Sequence, residues 1–164
     1  MLIHKDIDII CEGEVIIHEN SNYIGRGPTH SRNLQWVECR SNGQVYTVLN
    51  VHGLWNGLGK DDSLERTAQS KKIKMFIDSI NTPVILCGDF NLKPNTESIK
   101  IIKNSMQDLI SDYGITSTRS SLYLKDEKFA DYIFSSNDVI VKEFKVLQEV
   151  VSDHLPLLLG FTLE

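Results

Sequence analysis

Apolar positions along this chain fall into short runs rather than long stripes. Val84-Ile85-Leu86-Cys87 is unbroken between Pro83 and Gly88, the pattern of a strand buried on both faces. Residues 7–19 read as one or two strands around Glu12-Gly13-Glu14, with Val15, Ile16 and Ile17 carrying the β-branched signal. Residues 34–40 and 44–51 flank Ser41-Asn42-Gly43. Asn-Gly between two such runs predicts a hairpin, because both residues tolerate positive φ. Residues 130–135, 139–147 and 157–163 are three further strands. Two stretches change period. Asp62-Ser63-Leu64-Glu65 predicts an N-cap at Asp62 with its return partner at Glu65. The helix that follows runs to about Ile80, with Leu64, Ala68, Ile73, Phe76, Ile77 and Ile80 on its apolar face. A second helix covers about 96–106 with Asn95 as N-cap. Residues 108–128 read as mostly irregular.

Strands alternating with helices predict an α/β fold with a mixed sheet. At 164 residues, 41% hydrophobic and 24% charged, the chain has the make-up of one globular domain. No apolar run approaches the roughly 18 residues of a membrane span. The N-terminus lacks the basic and apolar regions of a signal peptide. Cys11, Cys39 and Cys87 are odd in number and far apart, which fits a reducing cytoplasm better than a disulfide framework. A net charge of −5 argues against strong non-specific nucleic-acid binding.

The chemistry gathers where strands end. The apolar run at 84–87 gives out into Gly88-Asp89-Phe90-Asn91. Side chains two apart on an extended chain point the same way, so Asp89 and Asn91 emerge together, offering a carboxylate and an amide. Asn50 and His52 close the strand before it in the same alternation. Asp131 shares a face with Phe129 and Ile133, where an ionised carboxylate needs a partner. Ser152-Asp153-His154, at the mouth of the last strand, offers His154. Asp131 on one ring nitrogen would orient the imidazole, favour its protonated form and leave the other nitrogen for a substrate oxygen. Asp153 then remains as a hard oxygen ligand for Mg²⁺. Trp55, in a glycine-punctuated loop, and Arg119 are candidates for stacking on a substrate and holding a phosphate.

Taken in order, NVH, GDFN, DYIF and SDHLPL resemble the motif set of the endonuclease/exonuclease/phosphatase superfamily. The resemblance runs from about Ile7 to the end of the chain. It implies part of a four-layer αββα sandwich and metal-dependent phosphoester hydrolysis, with Mg²⁺ or Mn²⁺ as cofactor. It implies that Asp89 activates the attacking water and that Asn91 holds that water or a phosphoryl oxygen. His52 matches a histidine near the phosphate, Asp131 orients His154, His154 stabilises the pentacovalent phosphorus, and Asp153 with Asp89 binds the metal. The substrate is a phosphate ester, whether nucleic acid, lipid headgroup or small molecule.

The family pattern also includes an early Asn and a Glu that is the principal metal ligand, and neither segment is recognisable here. Residues 1–6 resemble the middle of a family chain. The expectation is therefore one domain over 1–164, incomplete at its N-terminal side. Residues 34–40, 44–51, 84–87 and 157–163 would present apolar side chains of one sheet to a missing partner sheet, favouring self-association or pairing with a separate first half. A catalytically silent remnant or interaction module is the alternative.

Overall fold

The computed structural model describes residues 1–25 and 27–164. The chain first forms β1 (Asp8–His18), β2 (Arg32–Ser41) and β3 (Gln44–His52), then α1 (Leu64–Asp78), β4 (Val84–Asp89) and α2 (Glu97–Lys103). After β5 (Gln107–Asp108) and α3 (Leu109–Asp112) come β6 (Asp131–Ser135), β7 (Val139–Val146) and β8 (Leu157–Leu163). Six strands make one sheet in the order β1-β2-β3-β4-β6-β5. Its pairings are antiparallel except β3 with β4, which are parallel and joined through α1. Asn42 and Gly43 both have positive φ, 51° and 80°, and so close the β2–β3 hairpin at Ser41 and Gln44.

The two faces of this sheet are covered differently. Trp36 on β2 meets Phe76 of α1, ring centroids 6.0 Å apart, whereas Tyr46 on β3 meets Phe161 of β8 at 5.5 Å. Trp36 is paired with Leu49, and Tyr46 stands an odd number of residues from Leu49, so the two rings leave opposite faces. Helices lie on one side and the β7–β8 pair on the other. Leu34, Leu49 and Leu86 join Ile73 and Ile77 of α1 and Ile99 and Ile102 of α2 in the buried core. Residues 157–163 therefore belong to a second, two-stranded sheet and not to the sheet of 34–40, 44–51 and 84–87. The expected single seam becomes a contact that the chain makes partly with itself.

The helices depart from the sequence expectation in an instructive way. Ser63, not Asp62, caps α1 and accepts from the Arg66 N–H. Asp62 instead accepts from the N–H groups of Glu97 and Ser98 and from the Ser98 hydroxyl, at 2.6, 3.0 and 2.6 Å. It serves the N-terminus of α2, where a carboxylate is stabilised by the exposed N–H groups. Thr96, not Asn95, is the N-cap of α2. The buried face of α1 carries Arg66, Gln69 and Ser70 besides Ile73 and Ile77, while Leu64 and Ala68 are exposed. The reason is what lies opposite. Arg66 donates to the carbonyls of Leu54, Gly59 and Asp61, and Gln69 accepts from the Leu54 N–H. This face of the helix binds the backbone of a loop, so it needs donors rather than methyl groups.

Gly88 is the position where β4 tolerates no side chain. Its φ is +140°, and a Cβ there would stand 1.9 Å from the Val51 carbonyl oxygen of β3. Gly88→Ala is expected to destabilise the fold by about 3 kcal/mol or more, because backbone rather than a pliable side chain must move. Urea denaturation measures it, and a loss below about 1 kcal/mol would show that the two strands can part without cost.

Candidate active site

Three strand ends meet in one row. His52 of β3 is the register partner of Asp89 of β4, and Asp89 is the partner of Asp131 of β6. The chain turns sharply beyond that row. Phe90 is fully buried, edge-on to Tyr132 and Phe134 with centroids 5.5 and 5.4 Å away. Its N–H donates to the Ala130 carbonyl, and the Tyr132 hydroxyl donates to the Leu92 carbonyl. Asn91 is left-handed at φ 54°, a conformation Asn adopts more readily than most residues. Asp89 and Asn91 thus meet through a turn and not through strand alternation. The Asn91 N–H donates to Asp89 Oδ1 at 2.8 Å, and its side-chain amide donates to the Gly53 carbonyl.

Asp131 and His154 are paired. Both oxygens of Asp131 lie within hydrogen-bond distance of His154 Nδ1, at 2.8 and 2.9 Å. The Thr118 hydroxyl donates to Asp131 Oδ2 at 3.0 Å, and Thr118 is itself fully buried. Its N–H donates to the Lys128 carbonyl and its own carbonyl accepts from the Leu155 N–H, tying both chain segments to β6. The hydrogen bond that Asp131 accepts raises the His154 pKa above the ordinary value, against the opposing effect of burial. His154 Nε2 and His52 Nε2 each stand 3.8 Å from Asp89 Oδ2. Burial and the nearby Arg32 charge lower the His52 pKa. Burial, and then Asp131, raise that of Asp89.

Around this centre is a pocket of about 370 Å³ lined by Arg32, His52, Trp55, Lys60, Asp89, Asn91, Arg119, Tyr123, Lys125, Asp153 and His154. Asn50 is not among them. It lines an adjoining cavity of about 250 Å³ with Asp89, Asp131 and Leu155. Arg119 donates to Asp153 Oδ2 at 3.0 Å and packs over the Tyr123 ring at 4.2 Å. Trp55 lies between Arg66 and Lys125, each within 6 Å of its ring centre. Lys60 is buried, with its Nζ donating to the Phe129 carbonyl at 2.8 Å, and burial brings its pKa down to about 8. Arg32, Lys60, Tyr123 and Lys125 of the lining, and Thr118 behind it, had no local signal in the sequence.

The donors fit a hard cation in part. Ligand atoms of Asp89, Asp131 and His154 lie within 4.8 Å of one another, but Asp131 turns both oxygens to His154 Nδ1, so those two face each other and not a shared centre. Asp89 Oδ2 accepts no hydrogen bond among the described residues and faces the Nε2 atoms of His52 and His154 at 3.8 Å. Asp89 and Asp153 both line the pocket, and carboxylate oxygens are the usual protein ligands of hard divalent cations. Asp153 would share its charge with Arg119.

The two histidines should titrate apart. The Asp131–His154 pair contributes stability that is full below about pH 6.5 and fades as pH rises through the raised His154 value. His52 acts oppositely and costs stability as pH falls below about 6.5. Ring-proton NMR against pH should find His154 above and His52 below an ordinary histidine, and Asp131→Asn should move His154 down. Coincident titration of both rings in the unsubstituted chain would contradict the pairing.

With this geometry in place, comparison with known proteins gives consistent results. The Endonuclease/Exonuclease/phosphatase family profile matches residues 16–154. A UPF0294 protein of Vibrio campbellii is 26% identical over 124 residues, which are 75% of this chain and 42% of the relative. The chain thus spans less than half of that curated relative. Among solved structures, an endonuclease/exonuclease/phosphatase from Bacteroides vulgatus superposes with a TM-score of 0.74 at 21% identity, over 97% of this chain and 67% of its own. A mannosyl-6-phosphatase from Bacteroides thetaiotaomicron gives 0.73 at 22% identity, over 96% and 67%. These likenesses describe the fold, and the match over residues 16–154 carries the assignment: the chain belongs to the endonuclease/exonuclease/phosphatase family.

Proposed function

We propose that this chain carries the hydrolytic site of a phosphoesterase, cleaving a phosphomonoester or phosphodiester with an activated water and a divalent ion. The observation that supports it most is the Asp131–His154 pair set beside Asp89, whose Oδ2 accepts no hydrogen bond among the described residues, in a cation-lined pocket. Asp89, with its raised pKa, takes a proton from the attacking water as the new P–O bond forms. The ester P–O bond breaks in line, and the leaving oxygen takes its proton from solvent. His154 keeps Nδ1 on Asp131 and offers Nε2–H to the phosphoryl oxygen that gains charge. Asn91 holds the water or that oxygen. His52, with Nε2 3.8 Å from Asp89 Oδ2, stands beside the phosphate. Trp55 stacks on the substrate beyond the phosphate, Arg119 holds a phosphoryl oxygen, and Asn50 supports Asp89 from the adjoining cavity. Asp89 and Asp153 would hold Mg²⁺ or Mn²⁺, which would supply Lewis-acid stabilisation of the phosphoryl charge.

Two carboxylates, one shared with Arg119, bind such an ion weakly. A glutamate from a preceding segment of the fold would complete the set, and pairing with that segment or with a second copy is part of the proposal. One observation favours the second reading, a catalytically silent module: the Arg119–Asp153 ion pair satisfies Asp153 without a metal. Neighbouring folds supply a monoester precedent in the mannosyl-6-phosphatase.

The test is hydrolysis of p-nitrophenyl phosphate and bis(p-nitrophenyl) phosphate with and without Mg²⁺. Turnover should require the ion and fall on the order of 10²–10³ in Asp89→Ala. Thermal unfolding should shift upward with Mg²⁺ in the unsubstituted chain and not in Asp89→Ala. An ion-independent unfolding temperature together with no turnover would favour the silent module.

A further inference from the structure

The pocket holds more positive charge than its own carboxylates balance. Arg32, Lys60, Arg119 and Lys125 line it against Asp89 and Asp153. Counting Asp131, paired with His154, still leaves four cations against three carboxylates. Three of the four cations are buried: Arg32 is 8% exposed, Lys60 1% and Arg119 9%. Buried cations need partners, and a fully served one is visible in the same fold. Arg66 spends its guanidinium on the carbonyls of Leu54, Gly59 and Asp61. The pocket cations are not served in this way. The Nε atoms of Arg32 and Arg119 are buried and have no hydrogen-bond partner among the described residues. Lys60 Nζ has one acceptor, the Phe129 carbonyl, for three N–H donors. An unused donor on a desolvated cation is costly unless something anionic completes it.

We infer that Arg32, Lys60 and Arg119 form an anion cradle that selects the doubly charged phosphomonoester over the singly charged phosphodiester. The inference rests on the phosphoesterase reading of this site and narrows its substrate class. A monoester near neutral pH carries close to two negative charges and three unesterified oxygens. A diester carries one charge and two such oxygens. The cradle residues are held in place. Lys60 and Arg119 both lie against the Tyr123 ring, at 5.3 and 4.2 Å. The Lys60 backbone carbonyl accepts from the Lys93 N–H just beyond the GDFN turn, so the cradle is built onto the strand end that carries Asp89. Lys125, exposed at the rim, sits over Trp55 and adds attraction at the entrance.

Calorimetric binding of methyl phosphate and dimethyl phosphate to the full chain, above pH 7 and at fixed Mg²⁺, tests this without turnover. Methyl phosphate should bind on the order of tenfold or more tightly, the worth of one or two charge-assisted hydrogen bonds. Lys60→Met and Arg32→Gln should each bring the two affinities together, and Lys60→Arg should keep them apart. Circular dichroism of each variant identifies any that fails to fold, and the comparison in the unsubstituted chain stands regardless. Equal affinities, tighter dimethyl phosphate, or no binding of either ligand would overturn the cradle. So would a folded Lys60→Met and a folded Arg32→Gln that keep the original ratio. Hydrolysis of both p-nitrophenyl esters at similar efficiency alongside equal affinities would leave the phosphoesterase reading in place and remove only the selectivity.

Discussion

The alignment of β3, β4 and β6 is the constraint from which the site follows. Because His52, Asp89 and Asp131 are register partners, one row of the sheet delivers an imidazole and two carboxylates to the same edge. Strand side chains alternate with a period of two, so a slip by one residue would send Asp89 to the other face and bury a charge among the core leucines. The approach of Gly88 to Val51 admits β4 at only one depth. Leu49, Leu86 and Phe134, all fully buried, fix that depth from the packing side. Packing and chemistry are therefore set by the same alignment.

Beyond the row, the loops are held by buried polar groups rather than apolar ones. Arg66 and Gln69 bind the backbone of the segment carrying Trp55 and Lys60. Tyr132 bonds the backbone after GDFN, and Thr118 joins the segment of Arg119 to β6. Such contacts add modest net stability each, yet removing one partner strands the other away from water. They specify one loop arrangement strongly. A site that must hold charged groups a few ångströms apart gains from that, because the donors and acceptors are already oriented when a charged ligand arrives.

How much of this was legible in the sequence depends on the range of the interaction. The apolar run at 84–87, the Asn42-Gly43 turn and the strand-end polar residues are local patterns, and local patterns predict strands, turns and their tips. The Asp131–His154 contact was anticipated from chemistry, since a carboxylate among apolar neighbours requires a partner. Asp62 was misread because a side chain next to one helix start can serve the start of another, and only the tertiary structure decides. The face of α1 was misread because apolar periodicity cannot reveal a helix packed on loop backbone. Arg32, Lys60 and Thr118 left no trace, as a lysine or threonine in an irregular stretch looks the same whether solvated or buried. β8 was assigned to the wrong sheet because an apolar strand does not announce its neighbour.

The central claim is that Asp131 acts through His154, so that the two behave as one device. A double-mutant cycle on kcat/KM tests it most directly, using Asp131→Asn, His154→Gln and the double substitution in whatever form of the protein turns over. If the pair is a unit, the double variant should be no slower than His154→Gln alone, within about 0.5 kcal/mol. Losses that add in full would mean that the two residues contribute independently and would contradict the account.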